Sequence, residues 1–165
     1  MIIKRVEVGY LKENCYILVN NNECLIIDPG DEFKKIDKEI GNLKVLKILI
    51  THSHFDHVGA VEEIKNKYSV DVLKYDNLEE KEYTIGSFTF KVIYNPGHSS
   101  DSVSFLFDDK LFCGDFIFKD GIGRCDLPTG SIDEMKKSLD KIKQYKNLII
   151  FPGHGESTTL EEELL

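Results

Sequence analysis

Short apolar runs alternate with charged turns along this chain, and the spacing of the apolar positions changes from one stretch to the next. Ile2–Val8 alternates, residues 15–19 are continuously apolar, and the Asn20-Asn21-Asn22 turn leads into Glu23–Ile27, which together predict an antiparallel meander. Asp28-Pro29-Gly30 closes it, because proline cannot continue a ladder and glycine supplies a turn. Phe33, Ile36 and Ile40 then share one helical stripe with lysines opposite, so the spacing predicts a helix over Phe33–Ile40. Residues 43–50 are a nearly continuous apolar run of strand length, as expected of a strand covered on both faces. Val61, Ile64 and Tyr68 predict a helix over 58–68, and a strand follows over 70–73.

The charged stretch 76–82 reads as an exposed connection. Phe88–Tyr94 alternates as a strand, and Val103–Phe107 with 110–113 forms a hairpin around Asp108-Asp109. Ser131-Ile132-Asp133-Glu134 is a capping box, which predicts a last long helix over 132–145 with Met135, Leu139 and Ile142 inward. A final strand is predicted over 148–151. A β-rich meander followed by alternating strands and helices predicts an α/β (α+β) fold, and 165 residues are expected to form a single domain, 1–165. No internal repeat stands out.

Polar residues of one kind gather where the predicted strands end. Thr51-His52-Ser53-His54-Phe55-Asp56-His57-Val58-Gly59 holds three of the five histidines of the chain, and the other two, His98 and His154, each follow Pro-Gly after an apolar run. A solvated polar loop would not concentrate a scarce residue in this way. His52 and His54 leave one face of an extended backbone, and Asp56 and His57 follow where a turn into a helix would aim them at a neighbouring position. Imidazole nitrogen and carboxylate oxygen are ligands that zinc, iron and manganese accept, so the segment reads as the mouth of a metal site.

Charge and composition narrow the partners. A formal net charge of −8 disfavours polyanion binding, so no nucleic-acid partner is expected, and paired divalent ions would offset part of that charge. The N-terminus turns polar at once, and no apolar run approaches membrane-spanning length, so the expectation is a cytoplasmic protein without a membrane partner. Cys15, Cys24, Cys113 and Cys125 form no C-x-x-C pair and are expected to be free thiols.

His52-x-His54-x-Asp56-His57, Gly97-His98, Gly114-Asp115 and Gly153-His154-Gly155, in that order, resemble the metallo-β-lactamase superfamily over residues 28–156. The resemblance implies a four-layer αββα sandwich with the metals at one edge between two β-sheets. It implies that His52, His54 and His98 hold one divalent ion, that Asp56, His57 and His154 hold a second, and that Asp115 bridges them. Zinc is the expected metal, with iron or manganese as alternatives. Gly121-Ile122-Gly123-Arg124-Cys125-Asp126-Leu127-Pro128 is similar to a stretch of the short glyoxalase II type, the hydroxyacylglutathione hydrolases. The longer glyoxalase II enzymes add a C-terminal helical domain that contacts glutathione, whereas this chain ends at Leu165, and its short loop over 73–88 is expected to leave the cleft open.

The implied activity is a binuclear metal-dependent hydrolase acting on a small-molecule thioester such as a hydroxyacylglutathione through a metal-bridging hydroxide, with Asp56 or Asp115 orienting the nucleophile. Asp28 would fix an imidazole tautomer or, alternatively, serve only the turn before proline. Arg124 would grip a substrate carboxylate or phosphate, the alternative being a surface pair with Asp126 or Asp120. Tyr16 and Phe116 either line the cleft or join the core, and Cys113 either approaches the metals or is buried. The rival activities are a persulfide dioxygenase with a single iron and a small-molecule phosphodiesterase; a purely structural metal site is disfavoured, because such sites are usually cysteine-rich and closed. A monomer or small homo-oligomer is expected.

Overall fold

The meander opens the first of two sheets. In the computed structural model, which describes residues 1–164, β1 (Ile2–Val8), β2 (Glu13–Asn20) and β3 (Glu23–Ile27) pair antiparallel. β4 (Lys44–Leu49) joins β3 in parallel through helix α1 (Phe33–Ile40), and β5 (Val72–Leu73) joins β4 in parallel through α2 (Phe55–Val58) and α3 (Val61–Tyr68). The second sheet runs β13-β12-β9-β8-β7-β6. Its antiparallel part is β6 (Glu82–Ile85), β7 (Phe88–Tyr94), β8 (Val103–Phe107) and β9 (Lys110–Gly114). A small hairpin, β10 (Ile117–Phe118) with β11 (Gly121–Ile122), and helix α4 (Ile132–Ile142) lead to β12 (Ile149–Pro152), parallel to β9; β13 (Thr158–Thr159) and α5 (Leu160–Leu164) follow.

Side-chain alternation builds the layers. Along β2, Cys15 and Ile17 face α1 and α3 in one core with Ile36, Ile40 and Ile64, whereas Tyr16 and Leu18 face the other sheet and pack with Phe90, Phe105 and Phe112. On the far side of the second sheet, Leu111, Cys113 and Ile150 pack against Met135 and Ile142 of α4. Three cores between four layers make the αββα sandwich that the resemblance implies. Each fully buried phenylalanine of the middle core contributes roughly 1.5–3 kcal/mol.

Several boundaries differ from the sequence expectation for local reasons. The helix expected over 58–68 begins only at Val61, and a separate short helix, α2, precedes it, because the backbone at Gly59 and Ala60 is laid onto the Asp28-Pro29-Gly30 turn: Ala60 N donates to Pro29 O at 3.0 Å. A Cβ at Gly30 would stand 1.8 Å from Asp56 O, so only glycine allows this approach. Residues 82–85, expected in part to be an exposed connection, form the edge strand β6, whose polar outer positions hid it. The last long helix stops at Ile142 rather than at 145, and the strand expected over 70–73 narrows to Val72–Leu73. Half of the expected capping box forms, with Ser131 Oγ accepting from Glu134 N at 3.2 Å; the Glu134 carboxylate accepts from Lys137 Nζ instead. Among the described residues, no helix is long and apolar enough to cross a membrane.

Candidate metal centre

The loops that carry the histidines all leave the same edge of the sandwich, between the two sheets. Asp28, held at φ +49° where β3 ends, organises the first of them. Its carboxylate accepts from Thr51 N at 2.8 Å, from Thr51 Oγ1 at 2.6 Å and from His57 Nδ1 at 2.9 Å. With Nδ1–H so engaged, His57 turns Nε2 into the site. Thr51 passes the constraint on, since its hydroxyl donates to Asp28 and its oxygen lies 3.0 Å from His52 Nδ1, which leaves His52 Nε2 facing the same space. Asp28 therefore has the holding role, beyond its place in the turn.

Three three-membered groups result; one of them, Asp28, His52 and His57, is the fully buried support just described, and the other two open on the cleft. His52, His54 and His98 form one, and Asp56, His57 and His154 form the other, with the candidate ligand atoms of each group within 4.8 Å of one another. His98 donates through Nδ1 to Arg124 O at 2.7 Å, so its Nε2 faces His54 Nδ1 across 3.0 Å. His154 donates through Nδ1 to Leu11 O at 3.1 Å, and its Nε2 lies 3.0 Å from Asp56 Oδ2. Asp115 stands between the groups: Oδ2 is 3.4 Å from His98 Nε2 and 3.6 Å from His154 Nε2, and Oδ1 is 3.3 Å from His57 Nε2. Gly153 permits this, because a Cβ there would sit 2.4 Å from Asp115 Oδ1.

The donor set suits a cation. His52 Nε2, His57 Nε2 and Asp115 Oδ1 are buried, face one another and have no hydrogen-bond partner within the protein. Such orphaned atoms are costly unless something in the site satisfies them. Burial pushes the pKa of His52 and His54 down, toward the neutral imidazole that binds metal. At His57 and His154 burial acts the same way but is outweighed, by the Asp115 and Asp28 carboxylates for His57 and by Asp56 for His154, and both pKa values rise. Asp115 and Asp56 are held below the ordinary carboxylate range, against burial, mainly by His57 and His154 respectively.

Each of the seven expected side chains is therefore in the cluster. Arg124 lines the neighbouring cleft of about 660 Å³, but its guanidinium is exposed and bonded on two nitrogens to Asp126, at 2.6 and 2.8 Å. Cys113 is buried in the outer core with its thiol toward Ile117 O, and burial pushes its pKa up to about 12. Phe116 joins the same outer core, while Tyr16 is buried between the sheets, so neither lines the cleft.

Sequence reasoning missed residues that hold the ligands in place. Asn14, buried where β2 begins, donates through Nδ2 to Pro152 O at 3.0 Å and to Gly155 O at 2.8 Å, and through its backbone to Gly153 O at 2.7 Å. Tyr16 OH adds a bond to Pro152 O at 2.6 Å. Two polar residues, Glu13 and Asn14, opening an otherwise apolar strand were the available signal. Glu13 is buried, with Oε1 3.6 Å from His57 Nδ1, and burial pushes its pKa well up. Asp101 ties two loops together, accepting from Ser53 N and Oγ and from Ser99 Oγ.

Comparison with known proteins agrees with this geometry. The profile of the metallo-beta-lactamase superfamily matches residues 8–82 and 76–154. The probable metallo-hydrolase YqgX of Bacillus subtilis is 31% identical, over 97% of this chain and 93% of that protein. The hydroxyacylglutathione hydrolase GloC of Haemophilus influenzae is 29% identical over 99% and 95%. The crystal structure of the BLEG-1 B3 metallo-beta-lactamase superposes with a TM-score of 0.93 at 30% identity, covering 98% of this chain and 95% of that one. With its sandwich, its histidine loops and nearly its whole length accounted for by these matches, the chain belongs to the metallo-beta-lactamase superfamily, as a metal-dependent hydrolase with glyoxalase II-like relatives.

Proposed function

We propose that this chain hydrolyses a small-molecule thioester, with a divalent ion held by His52, His54 and His98, a second by Asp56, His57 and His154, and Asp115 shared between them. The observation that carries the reading is the set of buried, unpartnered atoms, His52 Nε2, His57 Nε2 and Asp115 Oδ1, turned toward one another. Nitrogen and oxygen donors without cysteine favour zinc, with iron or manganese also compatible. When bound, such a pair of ions supplies Lewis acidity toward a carbonyl oxygen and a water acidified toward neutrality.

The chain's own residues do the remaining work. Asp28 keeps the His57 proton on Nδ1, and Leu11 O and Arg124 O do the same for His154 and His98, so three imidazoles present Nε2. Asp56 and Asp115, both held as carboxylates, would orient the attacking water by accepting hydrogen bonds from it. Among the described residues lining the cleft, hydroxyls and a paired guanidinium are the donors besides the histidines, so a leaving group that departs unprotonated is favoured. A thiolate is such a group, and similarity to a hydroxyacylglutathione hydrolase supports the same bond. The test is turnover of metal-analysed protein on lactoyl-glutathione, simple thioesters, lactones and small phosphodiesters. Metal-dependent thioester cleavage is expected; turnover confined to phosphodiesters would reject the assignment.

A further inference from the structure

We infer that the thioester has uncharged arms, an apolar acyl chain seated against Phe55 and Leu11 and a carrier without carboxylates. The inference rests on the thioester reading and narrows it. The starting observation is where exposed apolar side chains collect. Phe55 is 70% exposed, Tyr10 84% and Leu11 42%, and none of the three joins any of the three cores. Single exposed apolar residues are ordinary, whereas a contiguous group beside a cleft marks a binding surface. These are contiguous: Leu11 and Phe55 line the main cleft and also a second hollow of about 180 Å³, which Tyr10 lines too, and Asp56 is common to both. The shared wall thus begins at a proposed ligand, within reach of a reacting carbonyl.

The backbone fixes that wall. Phe55 stands between His54 and Asp56 at the first turn of α2, which is pressed onto Gly30, so its ring is held out toward the cleft at little ordering cost. Leu11 stands in the β1–β2 connection, where its carbonyl accepts from His154 Nδ1. Farther along the cleft, Leu127 and Pro128 continue the apolar lining.

Charge argues the same way. Among the described residues lining the two hollows Arg124 is the one lysine or arginine, and Asp126 already occupies it through Nε and Nη2. A substrate carboxylate would compete with Asp126 for the Arg124 guanidinium and lie near Asp101, which lines the same cleft. A carrier arm of neutral amides and methylenes meets no such cost. The acidic chain also disfavours an acidic carrier protein as the occupant.

The experiment uses zinc-loaded protein and pairs of thioesters with the same acyl group, one on glutathione and one on neutral N-acetylcysteamine, with acyl chains from acetyl to hexanoyl. Calorimetry with the matching S-hexyl thioethers gives binding without turnover. The neutral series is expected to have the higher kcat/KM, rising with chain length, and its thioether the tighter binding. Phe55→Ala should weaken thioether binding and raise KM for the hexanoyl ester about tenfold, as removal of a phenyl contact would, with the loss falling on KM rather than on kcat. Ile132→Ala, an exposed position on α4 outside both hollows, should change neither. Preference for glutathione at every chain length, or a Phe55→Ala protein with unchanged KM and unchanged thioether affinity, overturns the inference. So does a Phe55→Ala protein that differs from the parent only in oligomeric mass, since the patch is then a contact between copies. If no thioester turns over while the neutral thioether still binds in preference, the thioester reading falls and the apolar seat stands.

Discussion

The two histidine groups are built by different means although they share Asp115. The group of His52, His54 and His98 is made of imidazoles alone, with two of the three presented by one stretch of backbone after β4. Its supports lie nearer in sequence: Thr51 holds His52, Arg124 O holds His98, and Asp101 ties Ser53 to Ser99. The group of Asp56, His57 and His154 includes a carboxylate and, like the first, draws on loops from both sheets. Its His154 loop is fastened by Asn14 and Tyr16 of β2 and by the Leu11 carbonyl, across more than 130 residues of sequence. The first group depends on the 51–54 loop staying tied to the His98 loop; the second depends on the start of β2 keeping its hold on the 152–155 loop.

The comparison is sharpened by variants that touch both groups, one group or neither. Asp115→Asn removes the charge common to the two, so metal content should fall at both and turnover should drop by roughly a thousandfold, measured by elemental analysis beside steady-state rates. Asn14→Ala releases the 152–155 loop while leaving the 51–54 loop untouched. Affinity at the Asp56–His57–His154 group should weaken by about 10- to 100-fold, as for residues that orient metal ligands, while the other group stays loaded; a zinc titration read as one tight and one weakened step checks this. Equal losses at both groups would break the distinction. Thr51→Val keeps the side chain's shape but removes the hydroxyl between His52 and Asp28, so both groups should weaken together, by about tenfold, in the same titration. Cys113→Ala marks the lower end: with its thiol buried toward Ile117 O, metal content should not change.

How much of this could be read from the sequence follows the same division. The ligands were legible because histidine is scarce and each one follows an apolar strand, so topology alone brings them to one edge. The layers were legible through the resemblance and through helical spacing in α1, whereas the continuously apolar β2 shows its two faces only in the structure. Asn14 was not, since a polar residue opening an apolar strand carries no local sign that its partners are Pro152 and Gly155. The break between α2 and α3 was hidden for a similar reason: helical periodicity runs through it, and the cause is the long-range approach of Gly30 to Asp56. Arg124 was placed at the cleft, but its engagement by Asp126 follows from local side-chain geometry that left both readings open in the sequence. β6 and the segment after His154 were missed because edge strands and a short acidic helix carry little apolar signal.

The claim beneath all of this is that seven side chains from distant segments enclose a pair of cations. Anomalous scattering from crystals of the zinc-loaded protein tests it directly. The expected map has two peaks about 3.5–4 Å apart, one among His52, His54 and His98 and one among Asp56, His57 and His154, with Asp115 reaching both. A map with no peak in the cluster, or with zinc bound only at the cysteines or on the acidic surface, would contradict the account.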